Sequence, residues 1–483
     1  MQETDEKIEP HLASGSKDHN FYISTAEILR DYRLANESRH VSIIGRREVL
    51  SGKAKFGIFG SGKEVAQLAM AKAFRKGDFR SGYYRDQTFM FAIGATTIPQ
   101  FFAQLYAIAD VSLEPHSAGR QMNAHFATRS LNENGRFRNL TQQYNSSADI
   151  SPTGSQMPRL VGLGYASRLY RELDELKQLT QFSNNGDEVA FGTIGNASCA
   201  EGMFWESINA IGVLQAPVVL SIWDDGYGIS VPNKYQITKG NLSELLKGFQ
   251  REPNSSEGFD IYTVKGWDYS ALVETYQKAA DTARRHHVPA IIHVIEMTQP
   301  LGHSTSGSHE RYKSDERMAF EKDFDCIQRL RKWIIEQRIA TAGELDQIER
   351  NAGKSIENIR TKMWKAFSRP IYKERQEVAD IIEEIVEEIE SHAAHQAALS
   401  KLHHRLMQKK SPYRRDNMQA VHEVLLLLRD EEVTAVQKLI QWRNKQLAMS
   451  QERYGSHLHS QSAKAYTNIL EIKPVYSPDS IKL

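Results

Sequence analysis

A doubly wound parallel α/β sheet with helices on both faces, followed by a helical C-terminal region, is the fold this sequence predicts, and three patterns carry it. Short apolar runs recur at residues 189–194, 218–222 and 290–295. Longer amphipathic stretches separate them, as parallel strands covered by helices require. Beyond about residue 330 the runs cease and charged, helix-periodic sequence takes over.

Taken in order, residues 1–40 form a polar, helix-prone N-terminal arm. Its opening, Met1-Gln2-Glu3-Thr4-Asp5-Glu6, lacks the basic and apolar segments of a signal peptide. Residues 41–330 form the α/β domain. Within it the run 189–194 leads into Gly195-Asn196-Ala197-Ser198, and then a helix-like stretch, 201–214, places Phe204, Ile208, Ile211 and Leu214 on one face. The run 218–222 leads into Trp223-Asp224-Asp225-Gly226-Tyr227-Gly228-Ile229-Ser230. In a parallel sheet these two strand ends lie side by side, at the carboxyl edge where ligands bind. A helix N-terminus there offers backbone N–H groups to an anion, and oxygen-bearing side chains on adjacent turns hold a hard cation. That combination suits a magnesium diphosphate. Residues 331–483 form a helical extension or connector: Ile381, Ile382, Ile385 and Ile389, then Val424, Leu425 and Leu428, stand at helical spacing, with no chemistry of their own.

Composition narrows the class. A chain of 483 residues exceeds the size of a single core, so more than one folding unit is expected. Lys plus Arg (61) balance Asp plus Glu (60), which gives no reason to expect nucleic acid or a membrane surface as partner. Two cysteines, Cys199 and Cys326, are too few for a disulfide framework and point to a reducing compartment. No apolar run approaches the roughly 20 residues that span a bilayer, so a cytoplasmic location is expected.

The paired turns resemble the thiamine diphosphate motif of the alpha subunits of 2-oxo acid dehydrogenase E1 components, where Gly-Asp-Gly precedes Asn-Asn and a Gly-Tyr-x-Ile-Ser segment. Other segments match in order. Tyr83-Tyr84-Arg85-Asp86-Gln87 resembles the family's Tyr-Arg-Glu segment, whose Tyr and Arg hold the diphosphate. Gly119-Arg120-Gln121-Met122 with His125 resembles its Gly-Arg-Gln-Met-x-x-His loop. Ser151-Pro152-Thr153-Gly154-Ser155-Gln156 stands where the family places Ser-Pro-Leu-Ala-Thr-Gln against the cofactor. Gly302-His303-Ser304-Thr305-Ser306, followed by Arg311-Tyr312, resembles the His-Ser-Thr-Ser loop with its catalytic histidine.

The resemblance implies thiamine diphosphate held by Tyr84, Arg85, Ser151, Thr153, Gly195, Ala197, Ser198 and His303. It implies Mg2+ on Asn196, Asp225 and the Tyr227 carbonyl, and catalysis by His303. Two departures stand out. The metal-binding Asp and Asn have exchanged places at Asn196 and Asp225, which leaves the formal ligand charge unchanged. Arginines that branched-chain relatives place near the phosphates are Trp223 and Gln299 here, so Arg85 is the one obvious diphosphate cation left.

The implied activity is oxidative decarboxylation of a 2-oxo acid, of branched-chain type, with acyl transfer to a lipoyl-bearing E2 acyltransferase. Pyruvate, acetoin and 2-oxoglutarate are alternative substrates. The long helical tail resembles the connector of bacterial enzymes that fuse alpha-like and beta-like halves, and no beta-type segment follows it. A beta-type partner that completes the active site, in an oligomer, is therefore expected. The rival from another class is a non-catalytic assembly or regulatory subunit that retains the fold around a degenerate cofactor site.

Plainer roles compete for the same residues. Tyr84 and Arg85 could be a core tyrosine and a surface ion-pair arginine, His125 and His303 loop histidines, and Asp224 either a group that orients Asp225 or a solvated turn acid. Gly57-Ile58-Phe59-Gly60-Ser61-Gly62-Lys63-Glu64 has P-loop spacing, but Glu64 replaces the required hydroxyl and would repel phosphate. His392, His395, His403 and His404 fit a solvated helix face better than a metal site.

Overall fold

The computed structural model describes residues 23–455 except 254, 306 and 390–392. Its described residues divide into two units. The first comprises the described residues through Ser130 together with Arg138–Thr361, and the second comprises Leu131–Phe137 and those from Lys362 onward.

In the first unit the strands are β1 (Phe79–Ser81), β2 (Asn145–Ser146), β3 (Ala190–Gly195), β4 (Val218–Trp223), β5 (Tyr227–Gly228), β6 (Val231–Pro232), β7 (Asp260–Lys265) and β8 (Ala290–Ile295). Six of them form one sheet in the order β2-β1-β3-β4-β8-β7, every neighbouring pair parallel. The short antiparallel pair β5-β6 follows directly from the end of β4. The three apolar runs seen in the sequence are the adjacent inner strands β3, β4 and β8.

Both faces of the sheet are covered. Val218, Leu220 and Ile222 of β4 pack with Leu160 of helix Gln156–Glu172 and Phe204, Ile208 and Ile211 of helix Gly202–Leu214. From the opposite face Ser221 hydrogen-bonds Tyr276 of helix Tyr269–His286 and contacts Met70 of helix Glu64–Ala73. A parallel sheet buried on both faces needs apolar side chains in both directions, which is why these strands read as continuous runs. Leu220→Ala should cost about 2–5 kcal/mol, seen as a lowered urea midpoint, because Leu220 is wholly buried.

Helix Thr25–Leu50 starts at a capping box, in which Ser24 accepts from the Glu27 N–H while the Glu27 carboxylate accepts from the Ser24 N–H. It runs through residue 40, the expected end of the N-terminal arm, and buries Tyr32, Ala35, Ser38 and Val41. Residues 1–22 of that arm lie outside the described residues. From the same helix Arg39 pairs with Glu64 at 2.7 Å and Asp325 at 2.7 Å, which fixes the start of helix Glu64–Ala73.

The second unit is helical. Its core gathers Val378, Ile382, Ile385, Ile389, Leu399, Leu406, Val421, Val424, Leu428, Leu439 and Trp442, so the spacing of isoleucines and leucines marked a packed helical face. His395 lies 3.5 Å from Glu431 and His403 3.2 Å from Glu383, as surface contacts; His392 is outside the described residues.

Candidate active site

Parallel pairing brings the two turns together. Ile194 is in register with Ile222 and Gly195 with Trp223, so Asn196 and Asp224 leave adjacent strands at one sheet edge. Asp224 is buried. It accepts hydrogen bonds from the Gly226 N–H and from Asn233, and lies 2.9 Å from His293 Nε2. It therefore organises the turn and is no solvated acid. His293, held by Asp224 on one nitrogen and Ser243 on the other, had no counterpart among the sequence candidates. Asn196 donates its amide to the Tyr227 carbonyl (3.1 Å) and to Asn233 Oδ1 (2.5 Å). Gly228 leaves no room for a Cβ against Ala197 and Gln236, which keeps the hairpin close to the 196–198 turn.

Asp225 faces a cation that the sequence reading had set aside. The Lys63 ammonium, 1% exposed, donates to Asp225 Oδ2 (2.8 Å), the Thr298 carbonyl (3.0 Å) and Gln299 Oε1 (2.6 Å). Burial raises the Asp225 carboxyl, but Lys63, with Arg85 and Arg317 behind it, holds it below the usual carboxylate range. Arg317 donates to the Asp225 and Met297 carbonyls. Lys63 reaches this place because Gly62, at φ +86°, lies so close to the Thr298 carbonyl that a side chain there would overlap it. Glu64 completes the anchor, accepting from the Gly62 N–H and pairing with Arg39. A carboxylate so placed occupies the helix start, contrary to a P-loop.

Arg85 and His303 meet. Arg85 Nη2 lies 2.9 Å from His303 Nδ1 and donates to the His303 carbonyl at 3.0 Å, while Nη1 donates to the Phe59 carbonyl. An arginine has no acceptor, so Nδ1 offers its lone pair and the proton sits on Nε2. Burial, then the Arg85 charge, pushes the imidazole down to about 4. His303 is thus a neutral ring carrying an Nε2–H donor near neutral pH. Tyr84 packs edge-on against His303 and under the Arg85 guanidinium.

The remaining candidates sit around this pair. His125 Nε2 lies 3.1 Å from Ser151 Oγ. A Cβ on Gly154 would stand 4.0 Å from the Ser198 carbonyl, which places the 151–154 loop, Thr153 included, beside the 196–198 turn. Gly195 faces the Tyr83 hydroxyl, with ordinary contact for any added Cβ. Cys199 is buried and its thiol is pushed well up by burial, so it offers no thiolate. Trp223 is buried with its indole N–H 3.4 Å from Asp86, and carries no charge to the edge.

A family model described as "Dehydrogenase E1 component" matches residues 33–369, most of the chain and all of this site. The chain belongs to the dehydrogenase E1 component family. Among curated relatives, the 2-oxoisovalerate dehydrogenase subunit alpha of Bacillus subtilis (strain 168) is 28% identical over 300 residues, covering 62% of this chain and 78% of its own. The mitochondrial 2-oxoisovalerate dehydrogenase subunit alpha of Mus musculus is 23% identical over 321 residues, 65% of this chain and 62% of its own. The chloroplastic pyruvate dehydrogenase E1 component subunit alpha-3 of Oryza sativa subsp. japonica is 24% identical over 225 residues, 47% and 49% of the two chains. This is an E1 chain of the alpha type, in a thiamine diphosphate-dependent family.

The site fits that cofactor's diphosphate in its donor set. Arg85 and Lys63 supply buried positive charge, and the buried hydroxyls of Ser61 and Thr298 lack hydrogen-bond partners among the described residues. Magnesium does not fit this arrangement. Asp225 is engaged by the Lys63 ammonium and the Tyr227 carbonyl by the Asn196 amide, so N–H donors face two of the three expected ligand groups. Among the described residues no group of three or more His, Cys, Asp or Glu could hold a metal ion.

Proposed function

We propose that this chain is the alpha-type half of an E1 component that decarboxylates a 2-oxo acid oxidatively and passes the acyl group to a lipoyl-bearing E2 acyltransferase. A beta-type subunit or domain completes the site. The observation that carries this reading is the Arg85–His303 contact beside the β3–β4 edge, which joins an anion-binding cation to a neutral hydrogen-bond donor.

Thiamine diphosphate, when bound, supplies the electron sink for the carbon–carbon cleavage. Arg85 and Tyr84 hold the diphosphate, with Gly195, Ala197 and Ser198 at the turn and Ser151 and Thr153 along the neighbouring loop. His303 donates from Nε2 to the substrate carboxylate or the acyl oxygen. His125, tied to Ser151, positions that loop. Magnesium would reach Asn196, Asp225 and the Tyr227 carbonyl only after Lys63 leaves Asp225, so cofactor binding is proposed here without a metal. Branched-chain 2-oxo acids are the proposed substrates, because the Bacillus and mouse relatives are named for 2-oxoisovalerate. Assembly into a multienzyme complex and a cytoplasmic location belong to the same proposal; among the described residues no helix is long and apolar enough to cross a membrane.

The test is reconstitution with a beta-type subunit and a lipoyl domain, following acylation with 2-oxoisovalerate, pyruvate and acetoin. Turnover with preference for 2-oxoisovalerate is the expected result. A stable complex that turns over none of them would identify an assembly or regulatory subunit instead.

A further inference from the structure

Lys63 is a buried cation of the donor set whose part in holding the cofactor the reading above leaves unspecified. Its ammonium is wholly enclosed, yet three acceptors fill its three N–H positions, and one of them is the carboxylate expected to bind a metal. A lysine enclosed beside an arginine is costly unless an anion repays it. Asp225 is one such anion. Ser61, two positions before Lys63, and Thr298, whose carbonyl accepts from it, hold buried hydroxyls with no partner among the described residues. Gln299 Oε1 is a neutral acceptor, and a phosphate oxygen in its place would add the attraction of a formal negative charge to the same ammonium.

Resting on the thiamine diphosphate reading above, we infer that Lys63 is a diphosphate-binding residue and the resident cation of the site, so that this chain binds the cofactor without a divalent metal. The Lys63 ammonium, a tethered charge, sits on the carboxylate expected to bind the metal. When the diphosphate arrives, Lys63 exchanges the Gln299 amide oxygen for a phosphate oxygen and keeps Asp225 as its second anion. Arg85 meets the diphosphate from the His303 side. No bond is made or broken beyond hydrogen bonds.

The experiment is calorimetric titration of the full chain, alone and with a beta-type subunit, with thiamine diphosphate in EDTA and in magnesium, and with unphosphorylated thiamine as control. The wild-type chain should bind the diphosphate in EDTA within about threefold of its affinity in magnesium. Lys63→Gln keeps neutral hydrogen bonding and should weaken diphosphate binding in EDTA by about tenfold or more. Thiamine binding should be unchanged, and magnesium should partly rescue the variant because Asp225 is then free to coordinate it. Asp225→Asn keeps Lys63 with a neutral partner, so the diphosphate becomes its one anion and binding in EDTA should stay within about threefold of wild type. Wild-type binding that requires magnesium, a Lys63→Gln variant that matches wild type in EDTA, or a tenfold loss in Asp225→Asn each overturns the inference while leaving the cofactor reading intact. Absence of binding by the wild type under every condition overturns the cofactor reading and this inference with it. Should Lys63→Gln fail to fold, Asp225→Asn alone decides.

Discussion

His303→Ala should leave thiamine diphosphate affinity within about twofold of wild type and lower acyl transfer by about 10²–10⁴-fold in the presence of a beta-type partner, the usual range for a positioned proton donor. The ring is held by Arg85 through Nδ1 and packed edge-on by Tyr84, so the part left for chemistry is the Nε2–H. Its pKa, pushed down to about 4 from an ordinary value of 6.5 by burial and by Arg85, keeps it neutral through the physiological range. The sign follows. Below pH 6.5 the unfolded chain takes up a proton that the folded ring refuses until about pH 4, so His303 lowers stability as pH falls through that window and has no effect on it above. The pH–rate profile should accordingly show no inflection near 6.5 from this group. Retained acyl transfer in the variant would remove His303 from the mechanism.

Arg80→Met should destabilise the first unit by about 3–5 kcal/mol, read as a lowered urea midpoint, since it removes one partner of a buried ion network. Arg80 is fully buried and donates to Asp86 at 2.6 and 2.8 Å, to Asp149 at 3.0 and 3.1 Å, to Ser146 and to the Tyr83 carbonyl. Asp86 also accepts from Thr193 on β3, and Asp149 from the Phe126 N–H. Without the guanidinium two buried carboxylates face each other uncompensated. The same network shapes the 83–86 turn that presents Tyr84 and Arg85, so cofactor affinity should fall in the variant even at temperatures where it stays folded. An unchanged midpoint would show that solvent reaches these groups.

The fold was legible because parallel strands buried on both faces must be apolar along their length. The runs at 189–194, 218–222 and 290–295 became the adjacent inner strands β3, β4 and β8 for that reason. The two strands beside β3 on the far side from β4 were not legible: β1 and β2 hold three and two residues, too short to show a pattern. The site was half legible. Local motifs could nominate Asn196, Asp225, Arg85 and His303, since each motif lies on one turn or loop, and the structure brings Arg85 to His303 and Asn196 to the Tyr227 carbonyl. Lys63 did not, because its importance comes from a contact across the chain to Asp225 and Gln299, made possible by the close approach of Gly62 to Thr298. The cue available in the sequence was the Gly-Lys-Glu step at a helix start, and the P-loop comparison discarded it together with the wrong function. Likewise Asp224 could be placed on a turn but not paired with His293, which arrives from β8.

The most direct test of the central claim is calorimetric titration of thiamine diphosphate into the chain mixed with a beta-type partner. The account predicts saturable binding at one site per alpha-type chain, lost when Arg85 is replaced by alanine. Absence of binding in the assembled complex, or binding that ignores Arg85, would contradict it.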